Sequence, residues 1–213
     1  MSPVVLVTRV GAARGASAAA AALACAASEP DRAALLIDLD ESRAPRPSLI
    51  ATSGARELEE RLAAHMPDAG FASRGQICHL KLSPDLDGIE QVAAAAPLVR
   101  ESAAVIHLPP SLLRPVLEQA RIQPTGALLR ADLARDRPLT ALAVRDLMAR
   151  DLQLAVLKRP LGWLASRVAL LGGLPAGGVG LPEKAVVRLL AGASPAVSQP
   201  RNGRRHDSEA EPA

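Results

Sequence analysis

Short apolar runs alternate with amphipathic or alanine-rich stretches along most of the chain, each bounded by glycine, proline or charge. Residues 3–8, PVVLVT, are continuously apolar and β-branched and predict a buried strand. Residues 16–28 predict an alanine-rich helix, and 33–40, AALLIDLD, a second strand that closes on two acids. The proline-broken ESRAPRPS follows as a loop. Residues 55–66 predict a helix with Leu58 and Leu62 one turn apart, and 76–82, QICHLKL, a strand. LDGIEQVAAAAPLVRES holds a helix ending near Pro97. Residues 103–108 predict a strand that Pro109 and Pro110 stop. SLLRPVLEQAR predicts a short helix in spite of Pro115; GALLRA is a strand, 138–151 a helix and 152–158 a strand. LGGLPAGGVGLP is a linker or flexible loop, and EKAVVRLLAG a final helix of about two to three turns.

This alternation of strand and helix implies right-handed crossovers and a mostly parallel sheet flanked by helices, a three-layer α/β domain over residues 1–192. Residues 193–213 are polar and proline-bearing and predict a disordered tail. In open sheets of this kind ligands sit beyond the carboxyl ends of the strands. That directs attention to residues 9–17, 38–41 and 107–111.

Composition sharpens the picture. The chain is 49% apolar but has one Phe, one Trp and no Tyr, so Ala, Leu, Val and Ile must fill the core and helices must pack closely. Cys25 and Cys78 form neither a disulfide framework nor a metal-site spacing, which makes a reducing cytoplasm the expected compartment. The opening MSPVVLVTRV is too short and too soon broken for a signal peptide, and no apolar run reaches the ~18 residues of a membrane span. The net charge of +3 comes from scattered arginines that read as solvated surface. Nucleic acid is not the expected partner, because a chain without Tyr offers few stacking platforms for single strands.

The stretch VTRVGAARGASAAAAALA has the setting of a phosphate site: a loop with Gly11 and Gly15 between an apolar strand and a helix. Such a loop turns backbone N–H groups toward one point, and the helix N-terminus adds about half a positive charge. Ser17 is the candidate hydroxyl for Mg²⁺. Against the pattern G-x-x-x-x-G-K-[ST], Gly15 and Ser17 fit the end, Ala16 stands where Lys belongs and Val10 where the first Gly belongs. The first lysine in the chain is Lys81.

The run from VVLVTRVGAARGAS to ALLIDLDES resembles the MinD/ParA family of deviant P-loop ATPases, whose loop reads K-G-G-x-G-K-[ST]-T and whose next strand ends D-x-D. The resemblance spans roughly residues 3–190. It implies a nucleotide loop formed by Gly11, Ala12, Ala13, Arg14, Gly15, Ala16, Ser17 and Ala18, with Gly11 and Ala16 at the two lysine positions. Asp38 and Asp40 match the D-x-D acids: Asp38 joins Ser17 as a candidate Mg²⁺ ligand, and Asp40 is the candidate catalytic acid. ESAAVIHLPPSLLRPVLEQ resembles the strand that ends D-x-P-P in the family, with His107 at the acid's position and Pro109 and Pro110 retained. ATP and Mg²⁺ are the implied ligands and a homodimer the implied assembly. Losing a loop Lys removes a contact worth ~1.5–3 kcal/mol in binding and more in the transition state. Arg9 and Arg14 are the candidate replacements. Loss of both lysines is most similar to the TadZ/CpaE branch, which positions pilus or secretion machinery. A weak or inactive ATPase acting in positioning or assembly is therefore the leading expectation.

Two other readings compete. GAARG after a strand also resembles the loop of short-chain dehydrogenases, with Asp38 or Asp40 reaching a ribose, but their Tyr-x-x-x-Lys chemistry is ruled out by the missing tyrosine. The second is a non-catalytic scaffold that binds an unidentified protein partner. Val186, Leu189 and Leu190 share one face of the terminal helix; core packing is preferred there over a weak peripheral membrane contact. His107 reads as a hydrogen-bonding strand-end residue, and His65, Cys78, His79 and His107 show no zinc spacing. Trp163 is expected to pack on the sheet, and Ser111 to cap the helix after Pro110.

Overall fold

The computed structural model describes residues 2–11, 15–29, 31–40, 50–119, 122–131, 135–150, 152–157 and 189–190. Seven strands form one sheet: β1 (Val4–Arg9), β2 (Ala34–Asp38), β3 (Gly70–Arg74), β4 (Ile77–Lys81), β5 (Ala104–His107), β6 (Gly126–Arg130) and β7 (Gln153–Leu157), in the order β3-β4-β2-β5-β1-β6-β7. All neighbours are parallel except β3 and β4. Among the described residues the helices α1 (Ala16–Ala27), α2 (Ser53–His65), α3 (Leu86–Ala94), α4 (Ala96–Glu101), α5 (Pro110–Gln119) and α6 (Arg137–Met148) flank the sheet, and residues 189–190 are also helical.

The strands are continuous apolar runs because both faces of the sheet are covered. On one face Val4, Leu6, Leu35, Ile37, Leu80 and Ile106 meet helices α2 to α6. On the other, Val5, Val7, Leu36, Val105 and Leu128 meet α1, whose alanines 16, 18–22 and 24 and Leu23 are all buried. Leu189 joins this second cluster at 1% exposure, its Cδ2 only 2.8 Å from where a Cβ on Gly126 would stand. That agrees with the preference for core packing at this position.

Three expectations change. β3 is not read from the sequence: GFASR is a short edge strand with one large apolar residue, joined to β4 by a two-residue turn at Gly75, φ 53°. A helix does end near Pro97, α3 at Ala94, but a further helix not read from the sequence, α4, follows at once, and Pro97 sits in its first turn, where its missing N–H costs nothing. Pro110 opens α5, so Ser111 lies inside the first turn instead of capping it. Trp163, most of the terminal helix and the tail lie outside the described residues.

Cys78 is fully buried on β4, and burial pushes its thiol up to about 11 in spite of a hydrogen bond with Ser73. Cys25, at the end of α1, is only partly buried. We expect Ellman's reagent at pH near 8 to titrate Cys25 in the native protein and Cys78 only after denaturation; equal native rates would mean that β4 opens without global unfolding.

Candidate functional site

β5 lies between β2 and β1, so the carboxyl ends of these three strands adjoin. Register makes the juxtaposition specific: His107 pairs with Asp38 of β2 on one side and with Val7 of β1 on the other. Alternation then puts Arg9, Asp38 and His107 on the face that carries α1. Of the stretches 9–17, 38–41 and 107–111, the structure brings together Arg9, Asp38, Asp40 and His107.

The loop from β1 to α1 begins at Gly11, φ 55°, and ends at Gly15, φ 94°, which holds the N-cap position. Both are left-handed conformations that glycine adopts without the penalty a Cβ would bring. Gly15 has no side chain with which to cap α1, and no acid stands in the helix's first turn. The N–H groups of that turn are thus unclaimed by a cap, as an anion-binding helix start requires. Ala16 and Ala18 are buried, and Ser17 is partly exposed. Ala12, Ala13 and Arg14 lie outside the described residues. Asp136, just before α6, packs against the loop: a Cβ on Gly11 would lie 2.6 Å from its carboxyl atoms.

Beneath the loop is a compact cluster of acids and bases. His107, 1% exposed, has Nδ1 2.9 Å from Asp38 Oδ1, with the imidazole N–H donating. The same oxygen accepts the Asp40 N–H at 3.0 Å. His79 Nε2 stands 3.6 Å from Asp38 Oδ2, an ion-pair distance and too long for a hydrogen bond. Asp40 Oδ2 lies 3.4 Å from Arg9 Nε and 3.7 Å from His107 Nε2. Arg9, a candidate for the missing lysine, is turned toward Asp40. Burial of Asp38 works against its ionisation, but the hydrogen bond from His107, the nearby His79 ring, the electrostatic attraction of His107 and the Asp40 N–H outweigh it and hold the carboxyl well below the usual range.

His79 is the member that sequence reasoning missed. In the sequence it stands out only as one of four scattered His and Cys residues without zinc spacing, and its place beside Asp38 appears once β4 is paired with β2. Among the described residues no group of three or more His, Cys, Asp or Glu side chains is arranged to hold a metal ion. A cavity of about 710 Å³ opens between α5 and α6; it reaches Arg9 and Gly11 at the start of the loop, and its wall mixes leucines such as Leu113 and Leu129 with the charged Arg114, Glu118, Asp146 and Arg150. Among the described residues no helix is long and apolar enough to cross a membrane.

The strand order also decides between the competing loops. In the dinucleotide-binding order the first two strands are neighbours, whereas here β5 separates β1 from β2. The nicotinamide reading is therefore corrected: an acid at the end of β2 is one strand too far from the β1 loop for that arrangement.

Asp38 gives a signed pH prediction. Its folded carboxyl ionises below the usual value of about 3.9, so its stabilisation is complete above that value and fades as pH falls below it. Asp38→Asn should lower stability by about 3–5 kcal/mol at pH 7, the cost of leaving one partner of a buried pair. The gap between variant and parent should narrow below about pH 4, as read by urea denaturation across pH. A gap that does not depend on pH would show that the carboxylate's charge is not what matters.

No protein-family model matches the chain, and no curated protein does. Among solved structures it is similar to a ParA family ATPase from Chlorobium tepidum TLS, with TM-score 0.51 and 12% identity over 89% of this chain and 96% of that one. It is also similar to the septum site-determining protein MinD of Pyrococcus horikoshii OT3, solved in complex with Mg-ADP, with TM-score 0.45 and 17% identity over 89% and 95% of the two chains. At such identity the likeness to the ParA family ATPase is one of fold: the chain has the sheet and helix arrangement of a ParA-type P-loop NTPase.

Proposed function

We propose that this is a MinD/ParA-like protein that binds nucleotide weakly, hydrolyses it poorly or not at all, and acts in positioning or assembling a cellular machine such as a pilus or secretion apparatus. The observation that carries the reading is a phosphate-type loop with its charged parts changed. Gly11 and Gly15 keep left-handed conformations and α1 keeps an uncapped start. The two lysine positions, however, hold Gly11 and Ala16, and the acid position after β5 holds His107, bonded to Asp38. Phosphoryl transfer depends on positioning and charge stabilisation, so a loop that retains backbone donors without the ammonium supports binding better than turnover.

A second reading, a scaffold that takes no nucleotide, is favoured by Asp136. Its carboxyl group lies against Gly11 and brings negative charge to the mouth of the loop. In either case homodimerisation and an unidentified protein partner belong to the proposal, with at most a weak peripheral membrane contact.

Calorimetry with ATP, with and without Mg²⁺, combined with a phosphate-release assay, tests the proposal. Relative to a loop with its Lys, we expect affinity weaker by about 10- to 150-fold, the equivalent of the lost ~1.5–3 kcal/mol, and no release above background. Asp136→Asn should tighten ATP binding if Asp136 opposes the phosphates. Absence of heat from both proteins would select the scaffold reading. Turnover that Ser17→Ala abolishes would overturn both.

A further inference from the structure

The imidazole of His107 spans the two acids that end β2. Nδ1 bonds Asp38 Oδ1 at 2.9 Å, and Nε2 lies 3.7 Å from Asp40 Oδ2 with no hydrogen-bond partner of its own. The ring is 1% exposed, fixed by β5 between β1 and β2. Every described strand end around it supplies a group: Arg9 from β1, Asp38 and Asp40 at the end of β2, and His79 from β4. Arg9, His79 and both nitrogens of His107 face these carboxylates, and a backbone N–H adds to them.

Magnesium is the ion that the loop's resemblance and the fold imply. It requires several oxygens at about 2.0–2.1 Å in near-octahedral geometry and retains part of its water shell. Here the donor set does not fit. The space between Asp38 and Asp40 is held by a ring, and an ion entering it would strip His107 of the partner that satisfies its buried N–H. Arg9 and His79 would then face the ion across the same carboxylates.

We infer that His107 is a built-in bridge standing where a divalent ion would, and that it holds Asp38 and Asp40 together without metal. It is a positioning residue: it fixes the acid pair and touches no reacting atom. The inference rests on the reading of the loop as a phosphate site only for which ion is replaced. The test needs no nucleotide, so its outcome is independent of whether ATP binds.

Mn²⁺ is the probe, since it shares magnesium's charge and preference for oxygen and broadens nearby nuclear resonances. In the full-length protein the ring signals of His107 should keep their line widths as Mn²⁺ rises to millimolar concentration. His107→Asp restores an oxygen donor and removes the bridge. Electron paramagnetic resonance should show that it binds Mn²⁺ at least about tenfold more tightly than the parent, and that Asp38→Asn in the same chain reverses the gain. Selective broadening of His107 in the parent by micromolar Mn²⁺, lost on Asp38→Asn, would overturn the inference. So would a folded His107→Asp variant with no gain. If that variant does not fold, the parent spectrum alone decides.

Discussion

The placement of β5 between β1 and β2 is the constraint on which the site depends. It carries α1 across an intervening strand, so the helix starts above the end of β1 and lies over β5 on its way to β2. It also sets Asp38 level with His107 in the parallel register. An ionised carboxylate with 7% of its side chain exposed must find partners, because desolvation without them costs several kcal/mol. Asp38 finds them on both neighbouring strands and on its own chain two residues on. Topology thus comes first, register second, and the ion pairing follows from both.

α1 meets the same constraint by different means. A helix that packs so closely on the middle of a sheet needs small side chains. Alanine has the best helix propensity and loses no rotamer freedom on burial. The run of buried alanines lets the helix axis approach the strands, and its first turn packs in the same apolar cluster as Val7 and Val105. Ala16 belongs to that packing: it stands at a lysine position, yet its side chain is 3% exposed and joins the apolar cluster. The substitution that removes the loop's charge therefore also extends the core beneath it.

Much of this was legible in the sequence, for definable reasons. β1, β2, β4, β5, β6 and β7 are apolar runs bounded by glycine, proline or charge, and central parallel strands carry just that signal. β3 carried none: it pairs on one edge only, and its exposed positions are occupied by Gly70, Ala72 and the like. The acids Asp38 and Asp40 stand at a strand end in the sequence, and the family resemblance singled them out together with His107 at the D-x-P-P position. That they touch could not be read there, since the contact depends on strand order. His79 shows the limit most clearly. It lies 41 residues from Asp38 in sequence, and only the pairing of β4 with β2 brings the two together.

A cluster neutralised from within changes what a ligand can accomplish. A ligand shifts a conformational equilibrium only by its differential affinity for the two states, and stabilises a fold only by binding it in preference to the unfolded chain. Where a metal and a phosphate are needed to offset buried acids, their arrival and loss carry large differential energies, and the surrounding loops follow. Here Asp38 is already offset by His107 and His79, and Asp40 faces Arg9. On the proposed reading, these contacts leave an arriving nucleotide little differential energy with which to shift the strand ends.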